Sequence, residues 1–68
     1  MNEEVFNTQV RRFLKEVGIT SQRELEQAVQ DAVKAGRLKG DEKLRARMVF
    51  TVVGLDLHHE VEGEISLS

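Results

Sequence analysis

The feature that most constrains the fold is a change in the spacing of apolar residues near Gly40. Before it, apolar side chains recur every three or four residues, which is the spacing of one face of an α-helix. After it, apolar and polar side chains alternate, which is the spacing of a half-buried β-strand. The sequence therefore predicts N-terminal helices followed by C-terminal strands, in a single small domain of residues 1–68.

A first helix is expected over about residues 3–17. Asn2 stands where an N-cap side chain accepts a hydrogen bond from the first free amides. Glu3 and Glu4 follow at the positive end of the helix dipole, where carboxylates are favourable. Gly18 can adopt the left-handed conformation that ends many helices, so the pattern predicts that this helix stops there.

A second helix is expected over about residues 21–35. Ser21 and Glu24 have the spacing of a capping box, in which the hydroxyl and the carboxylate each bond a free amide at the helix start. Gly36 is predicted to end this helix. The short joint between the two helices predicts a helical hairpin or corner.

Two strands are expected over about residues 44–53 and 56–67, joined by a type II′ turn with Gly54 and Leu55 at its centre. Shifting the pairing of the two strands by one residue would place apolar against charged side chains, whereas the pattern leaves a shift by two residues open. The predicted register pairs Leu44 with Ile65, Ala46 with Gly63, Met48 with Val61, Phe50 with His59 and, on the other face, Arg45 with Glu64 and Arg47 with Glu62.

These elements predict an α+β fold of order ααββ, with two amphipathic helices packed on one face of an antiparallel β-hairpin. The apolar residues of both helices and of the inner sheet face are expected to form the core. The predicted core residues are Phe6, Val10, Phe13, Val17, Leu25, Val29, Val33, Met48, Phe50, Val52, Leu57, Val61 and Ile65.

The composition is that of an ordinary folded domain, with 40% hydrophobic residues, 32% charged residues and a formal net charge of −2. It contains no cysteine, so neither a disulfide nor a thiolate–metal site can stabilise it. The first residues are acidic, which is unlike a secretory signal, and no apolar run is long enough to span a bilayer. We therefore expect a cytoplasmic protein without a membrane segment.

Catalytic and cofactor signatures are missing from the sequence. The glycines are isolated, so no phosphate-binding loop is formed, and no nucleophile stands near a suitable base. His58 and His59 are adjacent and fall on opposite faces of a strand, so they cannot act together as metal ligands. The sequence predicts a non-enzymatic protein with no cofactor and no metal site.

An interaction module is the leading functional hypothesis. A chain this short buries little surface and is marginally stable alone, and a two-stranded sheet has two open edges. We therefore expect a homodimer or an unidentified protein partner, bound through a sheet edge or the outer sheet face. The candidate surface is the small apolar patch of Val49, Thr51 and Val53.

Weak nucleic-acid binding is the alternative. Two helices followed by a hairpin resemble part of a winged helix-turn-helix domain, with helix 2 and the basic segment 34–47 as the contact surface. Against it stand the acidic residues of helix 2 and a pI near 5.6, because nucleic-acid-binding modules are usually basic. The candidate contacts are Ser21, Gln22, Arg23, Lys39 and Lys43.

Four stretches carry a family resemblance: MNEEVFN, VRRFLKEVGITSQRELEQAV, GRLKGDEKLRARM and GLDLHHEVEGEISL. With them, nearly the whole chain resembles a family of very short bacterial proteins classified only as a domain of unknown function. The resemblance implies a bacterial cytoplasmic source and a compact single domain. It implies no activity, cofactor or catalytic residue.

Overall fold

The computed structural model describes all 68 residues and contains one α-helix and one two-stranded antiparallel sheet. Helix α1 spans Glu3–Lys34, strand β1 spans Lys43–Thr51 and strand β2 spans His58–Ser66. Two compact units make up the chain: Met1–Arg37, which contains α1, and Leu38–Ser68, which contains the sheet.

The prediction of two N-terminal helices is wrong, because α1 continues through the expected joint. Gly18 and Ser21 both lie in the helix interior, and the Thr20 hydroxyl donates to the Glu16 carbonyl at 2.8 Å within the same helix. A break here would leave four carbonyls and four amides without helical partners, whereas a capping box satisfies only two amides. The fold is therefore α+β with the order αββ, and the expected helical hairpin does not exist.

Both outer ends of α1 were predicted correctly. The Asn2 side chain accepts a hydrogen bond from the Val5 amide at 3.1 Å, as an N-cap does. At the other end Gly36 has a φ of +78°, and its amide donates to the Val33 carbonyl at 3.1 Å. The Arg37 amide donates to the Ala32 carbonyl at 2.9 Å, which completes a Schellman motif.

The predicted core is not formed: no side chain of the chain is buried. Phe6 and Phe13 remain 52% and 51% exposed, and Val61 of the sheet remains 54% exposed. The physical reason on the helix is that it is continuous: the two apolar stripes that were predicted to belong to two helices, both packed on one face of the hairpin, lie along a single helix. Several of the predicted core residues are half-buried, namely Val10, Val17, Val29, Phe50 and Ile65.

The strand register is confirmed for the predicted pairs from Leu44–Ile65 to Phe50–His59, whereas the predicted pairs Val52–Leu57 and Val53–Asp56 lie beyond the strands. Phe50 lies opposite His59, and Arg47 lies opposite Glu62. The strands are shorter than expected, however, and the turn between them differs. Leu55 donates its amide to the Val52 carbonyl at 3.1 Å, and Gly54 has a φ of +88°. Gly54 is therefore the third residue of a type II turn, and the predicted type II′ turn with Gly54 and Leu55 at its centre is wrong.

Candidate interaction surfaces

One apolar surface of the chain is the helix stripe, the half-buried and exposed apolar residues that recur along α1. The N-terminal half of α1 supplies its larger side chains and the C-terminal half its smaller ones. At 100° per residue, the middle of the stripe turns around the helix axis by roughly 80–90° between the two halves. Its members are Phe6, Val10, Phe13, Leu14 and Val17 in the first half and Leu25, Ala28, Val29, Ala32 and Val33 in the second.

Charges of both signs occur along the whole of α1. Its first half, residues 3–18, carries three acidic and three basic side chains, and its second half, residues 19–34, carries three acidic and two basic ones. Gln27 donates a hydrogen bond to Asp31 at 2.9 Å in the second half. Neither half therefore has a strong net charge, whereas the stripe tapers from large to small side chains along the helix.

The outer sheet face is mostly charged. The Arg45 guanidinium bonds the Glu62 carboxylate at 3.0 Å, diagonally across the strands, although Glu64 is its direct partner in the register. His58 Nε2 lies 3.0 Å from Glu60 Oε1 on the same strand. Both contacts are well exposed, and an exposed ion pair such as Arg45–Glu62 contributes about 0–1 kcal/mol. They fix side-chain positions more than they stabilise the sheet.

The predicted apolar patch of the sheet is small. Val49 lies opposite Glu60 and Thr51 lies opposite His58, so the His58–Glu60 pair borders both of them. Val53 lies beyond the end of β1, in the turn, and is fully exposed. The structure thus places Val49 and Thr51 on one face and does not add Val53 to it.

A shallow depression of about 580 Å³ lies over the charged face of the sheet. No sequence pattern predicted it. Two cations and two carboxylates line it, so it lacks the apolar walls of most small-molecule sites. Its lining residues are Lys43, Arg45, Glu62, Gly63 and Glu64.

The loop before β1 holds one carboxylate with its own backbone. Glu42 accepts hydrogen bonds from the Lys39 amide at 2.9 Å and from the Gly40 amide at 3.0 Å. Gly40 has a φ of +102°, a conformation that favours glycine. These amide bonds, that of Lys39 first, stabilise the carboxylate form and lower the pKa of Glu42. These hydrogen bonds between the Glu42 carboxylate and its own loop were not predicted from the sequence.

Protonation of Glu42 should therefore loosen the loop. Its pKa is lower in the folded chain than in the unfolded chain, so its contribution to stability is present above the unfolded value of about 4.3. That contribution is lost as the pH falls through the lowered folded value. We expect the NMR titration midpoint of the Glu42 carboxyl carbon to lie below the ordinary glutamate value.

The Glu42→Gln variant is the matched control, because it keeps the shape of the side chain and removes its charge. It should be less stable than the natural chain at pH 7, and the difference should shrink on acidification through the titration of Glu42. Equal stability of the two chains at pH 7 would show that the loop does not depend on the carboxylate.

The residues proposed for nucleic-acid contact do not lie at the start of a helix. Ser21, Gln22 and Arg23 are in the interior of α1, so they cannot form the N-terminus of a reading helix. Lys39 and Lys43 belong to the other compact unit, where the Lys39 amide bonds Glu42 and Lys43 begins β1. The helix-turn-helix arrangement that motivated this hypothesis is absent.

No group of three or more histidine or carboxylate side chains is placed to hold a metal ion. No helix of the structure has the combination of length and hydropathy that crossing a bilayer requires.

Comparison with known proteins gives a family and no activity. No curated protein matches the sequence, and no solved structure matches the fold. The sequence model of one family, described as a family of unknown function (DUF6494), matches residues 1–68, which is the whole chain. This match confirms the resemblance seen in the sequence. The chain belongs to that family of unknown function.

Proposed function

We propose that this chain is a non-enzymatic interaction module whose main binding surface is the helix stripe. The observation that carries the proposal is that none of the side chains on this 32-residue helix is buried. Helices in proteins owe most of their stability to packing of an amphipathic face, so a stripe of this length needs a covering surface. A polypeptide with a complementary apolar face would supply it.

The sheet surfaces support the proposal less strongly than the helix stripe does. Val49 and Thr51 offer a small patch beside charged neighbours, and the sheet edges offer unpaired backbone groups. A two-stranded sheet is marginally stable alone, so contacts at its edge would contribute secondarily. We therefore assign the leading role to α1 and keep the outer sheet face as an additional contact.

A photo-cross-linking amino acid placed on α1 tests the proposal in the full chain. At position 10, on the stripe, it should form a covalent adduct with a polypeptide. At position 8, which lies on the opposite side of the helix from Phe6 and Val10, it should form little or none. Mass spectrometry of the adduct gives the mass of whatever covers the stripe.

If the photo-cross-linking residue reacted only with water at both positions 8 and 10 and formed no adduct with a polypeptide, the proposal would be contradicted. A duplex-DNA titration in the same samples addresses the alternative. Changes in the NMR shifts of backbone amides that are confined to the basic residues, and that become much smaller as the salt concentration is raised, would favour nucleic-acid binding instead.

A further inference from the structure

We infer that the free edge of β1 accepts an acidic, extended segment of a partner polypeptide as a third strand of the sheet. This free edge consists of the backbone N–H and C=O groups that point away from β2, and it belongs to Lys43, Arg45, Arg47, Val49 and Thr51. The inference goes beyond the proposed function, because it concerns the sheet and does not depend on what covers the helix stripe.

The hydrogen-bond pattern of the sheet identifies the residues of each free edge. The Leu67 amide donates to the Glu42 carbonyl at 2.9 Å, and these two residues continue the strand register by one step. Hydrogen-bonded and non-hydrogen-bonded pairs alternate along an antiparallel ladder, so the even-numbered residues of β1 bond β2 and the odd-numbered ones point outward. On β2 the outward residues are His58, Glu60, Glu62, Glu64 and Ser66.

The free edge of β1 is open to a partner strand. All five of its residues are exposed, and no backbone hydrogen bond from another part of the chain reaches them. A row of unpaired backbone groups is the template for strand addition, in which main-chain hydrogen bonds supply the affinity. Val49 and Thr51 are β-branched, which favours a further strand beside them.

Charge determines which strand fits. The free edge of β1 has three cations and no carboxylate, whereas that of β2 has three carboxylates. Two copies of the chain that paired through the same edge would place like charges opposite each other, which is unfavourable. Pairing of the two different edges is a head-to-tail contact, which gives a ring or an open filament. An acidic segment of another polypeptide satisfies the edge of β1 in a single step.

The edge of β1 is a better receiving edge than that of β2, because its charges are less satisfied within the chain. Lys43 and Arg47 form no ion pair, whereas Arg45 bonds Glu62 at 3.0 Å. Of the three carboxylates on the edge of β2, only Glu64 lacks an ion-pair partner. Two cations of β1 are therefore available to carboxylates on an added strand.

The sheet geometry also gives the side-chain pattern of the partner segment. Its carboxylates must occupy every second position, so that they stand on the same face as the three cations of β1. The residues between them lie on the other face of the sheet, beside Leu44, Ala46 and Met48. Apolar side chains are favourable there. The expected partner segment therefore alternates acidic and apolar residues.

An end-blocked nine-residue peptide in which glutamate alternates with valine tests the inference, since its length matches that of β1. Amide hydrogen exchange of the full chain is followed by NMR as the peptide is added. The amides of Lys43, Arg45 and Arg47, which point outward, should become protected. Those of Leu44 and Ala46 already bond β2 and should change less. No protection of the Arg45 and Arg47 amides at millimolar peptide, or protection of the edge of β2 instead, would overturn the inference.

Two control peptides separate strand addition from simple attraction of charges. A peptide that alternates lysine with valine should not bind, because it places cations opposite cations. The acidic peptide methylated on its backbone nitrogens keeps its charges and loses its hydrogen-bond donors, so it should bind roughly tenfold more weakly or worse. Equal binding of the methylated and unmethylated peptides would show that no strand is added.

Charge reversal on the edge tests the electrostatic argument. Lys43→Glu combined with Arg47→Glu leaves the Arg45–Glu62 pair in place and should weaken peptide binding by roughly tenfold or more. The milder pair Lys43→Gln with Arg47→Gln should weaken it in the same direction and by less. Cross-strand NMR contacts in each free variant check that the hairpin keeps its register.

A matched reversal on α1 controls for net charge. Arg12→Glu with Lys15→Glu changes the net charge of the chain by the same amount as the reversal on β1 and should leave peptide binding nearly unchanged. Equal losses in the two double variants would show general attraction between chain and peptide, which would overturn the inference.

The unliganded chain tests whether a second copy fills the edge instead. Protection of the outward amides of both strands that rises with protein concentration would show head-to-tail pairing of copies, and this would overturn the inference. The cross-link from position 10 is a separate measurement. An adduct there, without binding of the acidic peptide, would leave the proposed function intact and remove only the role of the β1 edge.

Discussion

Proline at position 22 should destabilise the chain by about 3 kcal/mol or more, because Gln22 lies inside a continuous helix. The substitution removes the amide that bonds the Gly18 carbonyl, and the proline ring collides with that carbonyl. If a second helix began with Ser21 as its N-cap, position 22 would be the first helical residue, where proline is favourable. The same substitution therefore has opposite consequences in the two structures.

A matched proline at the true helix start is the control. Glu3 is the first residue of α1 and follows the Asn2 cap, so Glu3→Pro should cost about 1 kcal/mol or less, mainly from the lost carboxylate. Thermal unfolding of both variants, followed by far-UV circular dichroism, gives the comparison. If Gln22→Pro were as mild as Glu3→Pro, the helix would be interrupted at Ser21.

Helix ends could be predicted from the sequence, whereas helix continuity could not. Asn2 and Gly36 lie at the two outer ends of the helical pattern, and no helical segment continues past either of them. Local hydrogen bonds alone therefore determine their cap geometry. Gly18 and Ser21 carry the same kinds of signal but lie between two strongly helical segments. A helical glycine costs only about 1 kcal/mol relative to alanine, which is less than the backbone hydrogen bonds that a break would remove.

The sheet register could be predicted because two independent patterns agree on it. Alternation fixes which face each residue occupies, and the opposite charges of Arg47 and Glu62 favour the same alignment. The turn could not be predicted, because Gly54 fits both a type II and a type II′ turn. Glycine is the second of the two central residues in a type II turn and the first in a type II′ turn.

The candidate surface was the least predictable part. The apolar residues of α1 were assigned to the core because apolar side chains in a soluble domain are usually buried. A pattern of spacings shows that a face is apolar, but it does not show what covers that face. Phe6 and Phe13 therefore look the same in the sequence whether their partner is the same chain or another one.

Valine at position 54 should destabilise the hairpin by about 1–2 kcal/mol, because Gly54 has a φ of +88° that a β-branched residue adopts only under strain. Space is not the cause, since a Cβ at Gly54 would meet no atom within 4 Å. The effect should appear as faster amide exchange in β1 and β2 and as earlier urea unfolding of their NMR signals.

Gly63→Val separates backbone strain from the loss of a glycine. Gly63 lies in β2 opposite Ala46, has no positive φ, and a Cβ there would also meet no atom within 4 Å. Valine has a higher strand propensity than glycine, so this variant should match the natural chain or exceed it by up to about 1 kcal/mol. Equal losses from the two substitutions would show that the turn does not require a left-handed residue, and the type II assignment at Gly54 would then fail.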